Sequence, residues 1–186
     1  MDTFRWMSTV FSLILGLGVA RILLACIALF RARGLVRIDW LPCVWAAIIF
    51  LQQITFWWSI EELATTIPSW TFPNFLLLVS LVLTLFLAAA SILPTEGLTT
   101  GSLRDFFERD GRWGLVALAA FNAIAILINA LFWHVDILSA GELLNLGLVV
   151  LPLVVFVGSR RIQIIATLFY VPLGLFGVMQ LVPMSY

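Results

Sequence analysis

The chain predicts an all-α fold: a polytopic integral membrane helix bundle with six transmembrane helices. Three observations carry that expectation. Of 186 residues, 63% are hydrophobic and 11% charged, with a mean hydropathy of +1.13, whereas a soluble domain is about 45–50% apolar and about 25% charged. Six stretches reach the roughly 20 apolar residues that cross about 30 Å of hydrocarbon. The connections between them are short, so residues 1–186 read as a single transmembrane domain with no soluble catalytic unit on either face.

The expected spans are residues 7–30, 40–60, 72–93, 113–133, 137–158 and 162–183. The first carries "GVA" before Arg21, a faint likeness to a signal-peptide cleavage site, and is expected to be retained. Its Ser8, Ser12, Gly16 and Ala20 recur every four residues, a small-residue stripe that would let another helix approach closely. Pro152 and Pro172 fall near the centres of the fifth and sixth spans, where each removes a helix hydrogen bond and bends the axis. Three spans followed by three of opposite starting side is the arithmetic of a 3+3 inverted arrangement, although no residue-level match links the halves.

The longest connection holds "SLRDFFERDG", with Ser102 and Asp105 spaced like a capping box and Gly111 placed to close a helix. Leu103, Phe106 and Phe107 share one face, opposite Arg104, Asp105, Glu108 and Arg109. A short helix over about 103–110, lying in the membrane interface, is expected.

All ten basic residues are arginines and the net charge is zero. They form no patch that could follow a phosphate backbone, so nucleic-acid binding is excluded as a partner class. With the N-terminus and C-terminus outside, Arg31, Arg33, Arg37, Arg104, Arg109, Arg112, Arg160 and Arg161 all face the cytoplasm, as retained positive charge requires. Trp6, Trp57, Trp58, Trp70 and Trp133 then fall at the outer ends, and Trp40 and Trp113 at the inner ones. Those positions suit interfacial belts. Only Trp45 lies about a turn deeper. A cell membrane, most simply a bacterial inner membrane, is the expected location.

Cys26 and Cys43 would face a reducing compartment, which disfavours a disulfide. A single histidine and the lack of any Cys/His cluster argue against a metal or haem, so neither metal nor cofactor is expected.

Arg21 stands ten residues before Arg31, at an expected depth near mid-bilayer, where a lipid-facing arginine costs at least about 2.5–3.5 kcal/mol. It should therefore face protein, water or a guest. The amides Gln52, Gln53 and Asn122 lie at similar expected depth, with Asn129 two turns further along the face of Asn122. Their carbonyls could accept from the guanidinium without neutralising it. A carboxylate from the outer rim, Glu61, Glu62 or Glu142, would have to bend inward, or a small anionic or dipolar solute would have to enter. A purely structural Arg21 that locks helix packing is an equal reading. His134, Asp136, Glu142, Glu61 and Glu62 form a second, outer set that could sense protons, with a solvated rim as the plainer alternative. Asp136 is also placed to cap the fifth span.

Two functions compete on these residues. One is a small transporter or channel whose pathway holds the Arg21 set; six short spans make a thin pathway alone, so a homo-oligomer in the lipid bilayer is expected. The other is a structural or accessory membrane protein without transport activity. An enzyme is not expected, because no catalytic triad spacing, H-E-x-x-H pair or central carboxylate pair is present. Arginines do not recur every third residue as in a voltage sensor, and the absence of lysine excludes a retinal linkage.

Overall fold

In a computed structural model, the structure describes residues 2–66, 71–95, 101–132, 134 and 139–181. Among them the fold is all-helical: α1 Asp2–Arg31, α2 Trp40–Thr66, α3 Phe72–Ile92, the short α4 Leu103–Phe106, α5 Trp113–Phe132, α6 Ala140–Val157 and α7 Arg160–Leu181. Five of these, α1, α2, α3, α5 and α7, are long and apolar enough to cross a membrane, as in a multi-pass membrane protein. The fifth expected span is shorter. α6 has 18 residues and starts at Ala140, not at 137, because Ser139 caps it by accepting from the Glu142 amide at 3.3 Å. Asp136, the expected cap, lies outside the described residues.

Other helix starts have equally local causes. Asp39 Oδ1 accepts from the Leu41 amide at 2.9 Å and opens α2. Thr71 accepts from the Asn74 amide and Pro73 occupies the first turn of α3, where its missing N–H costs nothing. At the end of α6 the chain turns to an extended Gly158 and re-enters helix at Arg160.

Contacts α2 to α3, α3 to α5, α5 to α6, α6 to α7 and α7 to α2 close a ring of five helices, with α1 packed outside against α2 and α3. The buried face of α1 is Met7, Phe11, Leu15, Gly18, Ile22, Ala25 and Leu29, spaced three or four residues apart. This corrects the expected small-residue stripe: Ala20 is exposed and a Cβ on Gly16 would meet nothing within 4 Å. The close approach is at Gly18 instead, where a Cβ would fall 2.2 Å from Gln53 Nε2. The packing gives the 3+3 arrangement no support, since α1 packs on α3 while α5 and α7 have no comparable contact.

One end of the bundle gathers the arginines, at the close of α1, the start of α7 and the connection before α5. There α3 and α5 cross tightly, because a Cβ on Gly114 would lie 3.0 Å from the Ala88 carbonyl. The segment expected as a surface helix is drawn into this crossing. α4 continues into a wide π turn, Phe107–Gly111, and Leu103 and Phe107 are fully buried in the main core. Its apolar face covers the helix ends rather than lying against lipid. Ser102 does cap it, accepting from the Arg104 amide at 3.1 Å.

Candidate functional site

The ring surrounds a half-open cavity of about 660 Å³ whose described lining comes from all five of its helices. It extends from Gln52 and Asn122, midway along α2 and α5, to Ser139, Gly141 and Glu142 at the start of α6. The walls are apolar, with Leu78 and Leu81 of α3, Phe121 of α5 and Leu148 of α6 among them.

The floor follows from a proline. Pro152 has no N–H to give the carbonyl four residues back, Leu148, so that oxygen is left without its helical donor. Asn122 Nδ2 donates to it at 3.2 Å and also to Leu118 O at 3.0 Å. The same nitrogen lies 3.5 Å from the Tyr170 hydroxyl, to which Gln52 Nε2 donates at 3.2 Å. Below the hydroxyl, the Tyr170 ring lies 4.7 Å from that of Trp45, whose indole N–H donates to Thr167 at 3.0 Å. Trp45, Thr167 and Tyr170 are all buried, and they close the cavity toward the arginine-rich end. Trp45 is thus a core residue, unlike Trp6, Trp57, Trp58, Trp40 and Trp113, which are exposed as interfacial belts require.

About 9 Å of helix separates Leu148 from Glu142. Glu142 is only 5% exposed. Its Oε1 accepts from Asn129 Nδ2 at 2.9 Å, while Oε2 is buried with no hydrogen-bond partner among the described residues. Gln52 Oε1 is a second buried acceptor without a donor among the described residues. The described lining contains no arginine, lysine or histidine.

The structure therefore unites some of the expected site residues and separates others. Gln52, Asn122, Asn129 and Glu142 share the cavity. Gln53 does not: one residue round the helix from Gln52, it points at Gly18 of α1, fully buried, and both its polar side-chain atoms lack partners among the described residues.

Arg21 is also elsewhere, contrary to the expectation of a mid-membrane guanidinium beside these amides. It donates to the carbonyl of Ala90 at 3.1 Å and to the Thr95 hydroxyl, at and just beyond the end of α3. α1 has 30 residues and spans about 45 Å, more than a bilayer needs, so Arg21 falls level with its neighbour's terminus. The last carbonyls of a helix lack internal donors and carry partial negative charge. Arg21 satisfies one of them with a charge of suitable sign.

Glu142 is the rim carboxylate that turns inward, and it meets Asn129, not Arg21. His134 is exposed with a left-handed φ of 51°. Asp136 and the side chains of Glu61 and Glu62 lie outside the described residues. No group of three or more metal-ligating side chains occurs among the described residues.

Sequence reasoning missed Tyr170, Thr167 and the pair formed by Asp39 and Arg160. The first two carried a signal: Gln163, Thr167 and Tyr170 stand four and three residues apart on one face of an apolar span, and all three are buried. Arg160 Nη2 lies 2.7 Å from Asp39 Oδ1 and 2.6 Å from Oδ2, tying the start of α7 to that of α2.

Fold and site together define a multi-pass membrane helix bundle with a half-open cavity among its helices, whose described polar groups are chiefly amides, hydroxyls and one buried carboxylate. No protein-family model, curated protein or solved structure matches the chain.

Proposed function

We propose that this chain is a small membrane transporter or channel that admits a solute to the cavity within the five-helix ring. The observation that supports it is the cavity itself: about 660 Å³, apolar in its walls and furnished with unpaired acceptors on Gln52 and Glu142. Small-molecule sites have this volume and this sparse placement of polar groups. Groups that only glue helices together would leave neither the space nor the free acceptors.

The arginine-rich end, on this reading, faces the cytoplasm, because cytoplasmic segments retain positive charge. Solute then enters from the exterior, past Glu142 and Asn129. The layer of Tyr170, Trp45 and Thr167 is the barrier to the other side. Passage requires α7 to shift against α2, the two helices that this layer joins. The membrane is a cell membrane, and copies of the chain associate within it. No chemical reaction is assigned.

The solute is dipolar or donor-rich, since the anion expected beside Arg21 would find no cationic residue in the described lining. The test is shrink-swell light scattering of proteoliposomes with a panel of small solutes, comparing the native chain with Gly177→Phe. Gly177 lines the cavity and its Cβ would stand 3.8 Å from Leu148 Cδ1, so a large side chain there fills the space. Faster permeation of at least one solute, removed by the substitution, is expected. Permeation equal to that of protein-free vesicles would instead favour an accessory protein.

A further inference from the structure

From the buried carboxylate we infer that the cavity is selective for an organic ammonium ion, bound at Glu142 Oε2 with its apolar body against Leu78, Leu81, Phe121 and Leu148. The inference rests on the proposed solute cavity and names the class of solute.

Three features of the site carry it. First, Glu142 is 5% exposed and, among the described residues, only one of its two oxygens is engaged, by Asn129. A carboxylate removed from water costs several kcal/mol unless a donor or a charge compensates it, and no cationic side chain lines the cavity among the described residues. Second, no described side chain donates to Glu142 Oε2. An ammonium supplies donors and charge together and has no acceptor to satisfy. Third, the walls are aliphatic and aromatic, including Phe56, Phe121 and Phe176. A hydrophobic body is favoured by burial there, and ring faces attract a nearby cation. An inorganic cation would use none of that surface and would need more oxygen ligands than one free carboxylate oxygen provides.

The ammonium could belong to a free amine or to an ethanolamine lipid headgroup, which present the same chemistry. The probe is radiolabelled benzylammonium, with neutral benzyl alcohol as its near-isostere, in saturation binding to phosphatidylcholine proteoliposomes after subtraction of protein-free vesicles. The native chain is expected to bind benzylammonium roughly tenfold or more tightly than benzyl alcohol, the scale of one charge-assisted hydrogen bond. Glu142→Gln, which preserves size and an acceptor for Asn129, is expected to abolish that preference.

Equal binding of the two probes by the native chain, both lost in Gly177→Phe, would overturn the ammonium assignment while sustaining the cavity. Binding of neither would overturn both. The comparison of the two probes uses the native chain alone, so it decides the matter even where Glu142→Gln fails to fold. Repeating the measurement in phosphatidylethanolamine vesicles assigns the source: weakened benzylammonium binding there supports a headgroup, and unchanged binding supports a free amine.

Discussion

Asn122 donates to the carbonyl of Leu148, the oxygen that Pro152 deprives of its helical partner. A residue that distorts α6 and a residue that polarises α5 are thus two halves of one arrangement, and the cavity floor is built on it. In a bilayer, where lipid is as apolar as leucine, such interhelical hydrogen bonds and close packing are what hold helices together.

Asn122→Leu should destabilise the bundle by about 1–2 kcal/mol, because it leaves the Leu148 carbonyl buried and unpaired. In a Pro152→Ala background the helical N–H returns to that carbonyl, so the same substitution should cost less. Unfolding of all four forms in mixed micelles gives the coupling. Additive effects would contradict the pairing.

Gly18→Leu should weaken the docking of α1 on α2, since even a Cβ there would lie 2.2 Å from the Gln53 amide nitrogen. Overpacking of this kind costs about 1–3 kcal/mol. Gln53→Ala vacates that space and should restore part of the loss. Melting of the single and double variants checks it, and a double variant no better than Gly18→Leu alone would count against this contact.

Asp39→Asn keeps an oxygen to cap the Leu41 amide but removes the charge that faces Arg160. Arg160 is 23% exposed and Asp39 9%, so the pair is only partly screened, and its loss should cost about 1–3 kcal/mol. Melting temperature in detergent reads the loss, and added salt should narrow the difference between the two proteins.

Arg21→Gln should lower stability by about 0.3–1 kcal/mol through the lost helix-end charge and leave probe binding in the cavity unchanged. Binding isotherms for benzyl alcohol decide it. A changed isotherm with an unchanged melting point would restore Arg21 to the pathway.

Much of this fold was legible in the chain. Apolar runs of sufficient length located the helices, and the seven-residue interval between Asn122 and Asn129 placed both on the face that lines the cavity. The depth of Arg21 was not legible, because depth depends on how far α1 overhangs the end of α3, a property of packing rather than of either sequence segment. Nor could the pairing of Asp39 with Arg160, 121 residues apart, be read from local pattern. Gln52 and Gln53 illustrate the same limit at short range. Adjacent amides on one helix diverge by about 100°, and only the surrounding helices decide which of the two meets the cavity.

Permeation and ammonium binding both require a solute-accessible space inside the ring, and thiol labelling reads that access without any choice of solute. With Cys26 and Cys43 replaced by serine, single cysteines at Asn145 and Ser59 in the cavity, and at the lipid-exposed Leu146, are treated in sealed vesicles with a membrane-impermeant thiol reagent. Rapid modification of the first two from one side only, lost in Gly177→Phe, with Leu146→Cys unreactive, is expected. Cavity cysteines as inert as the one at Leu146 would contradict a solute-accessible interior.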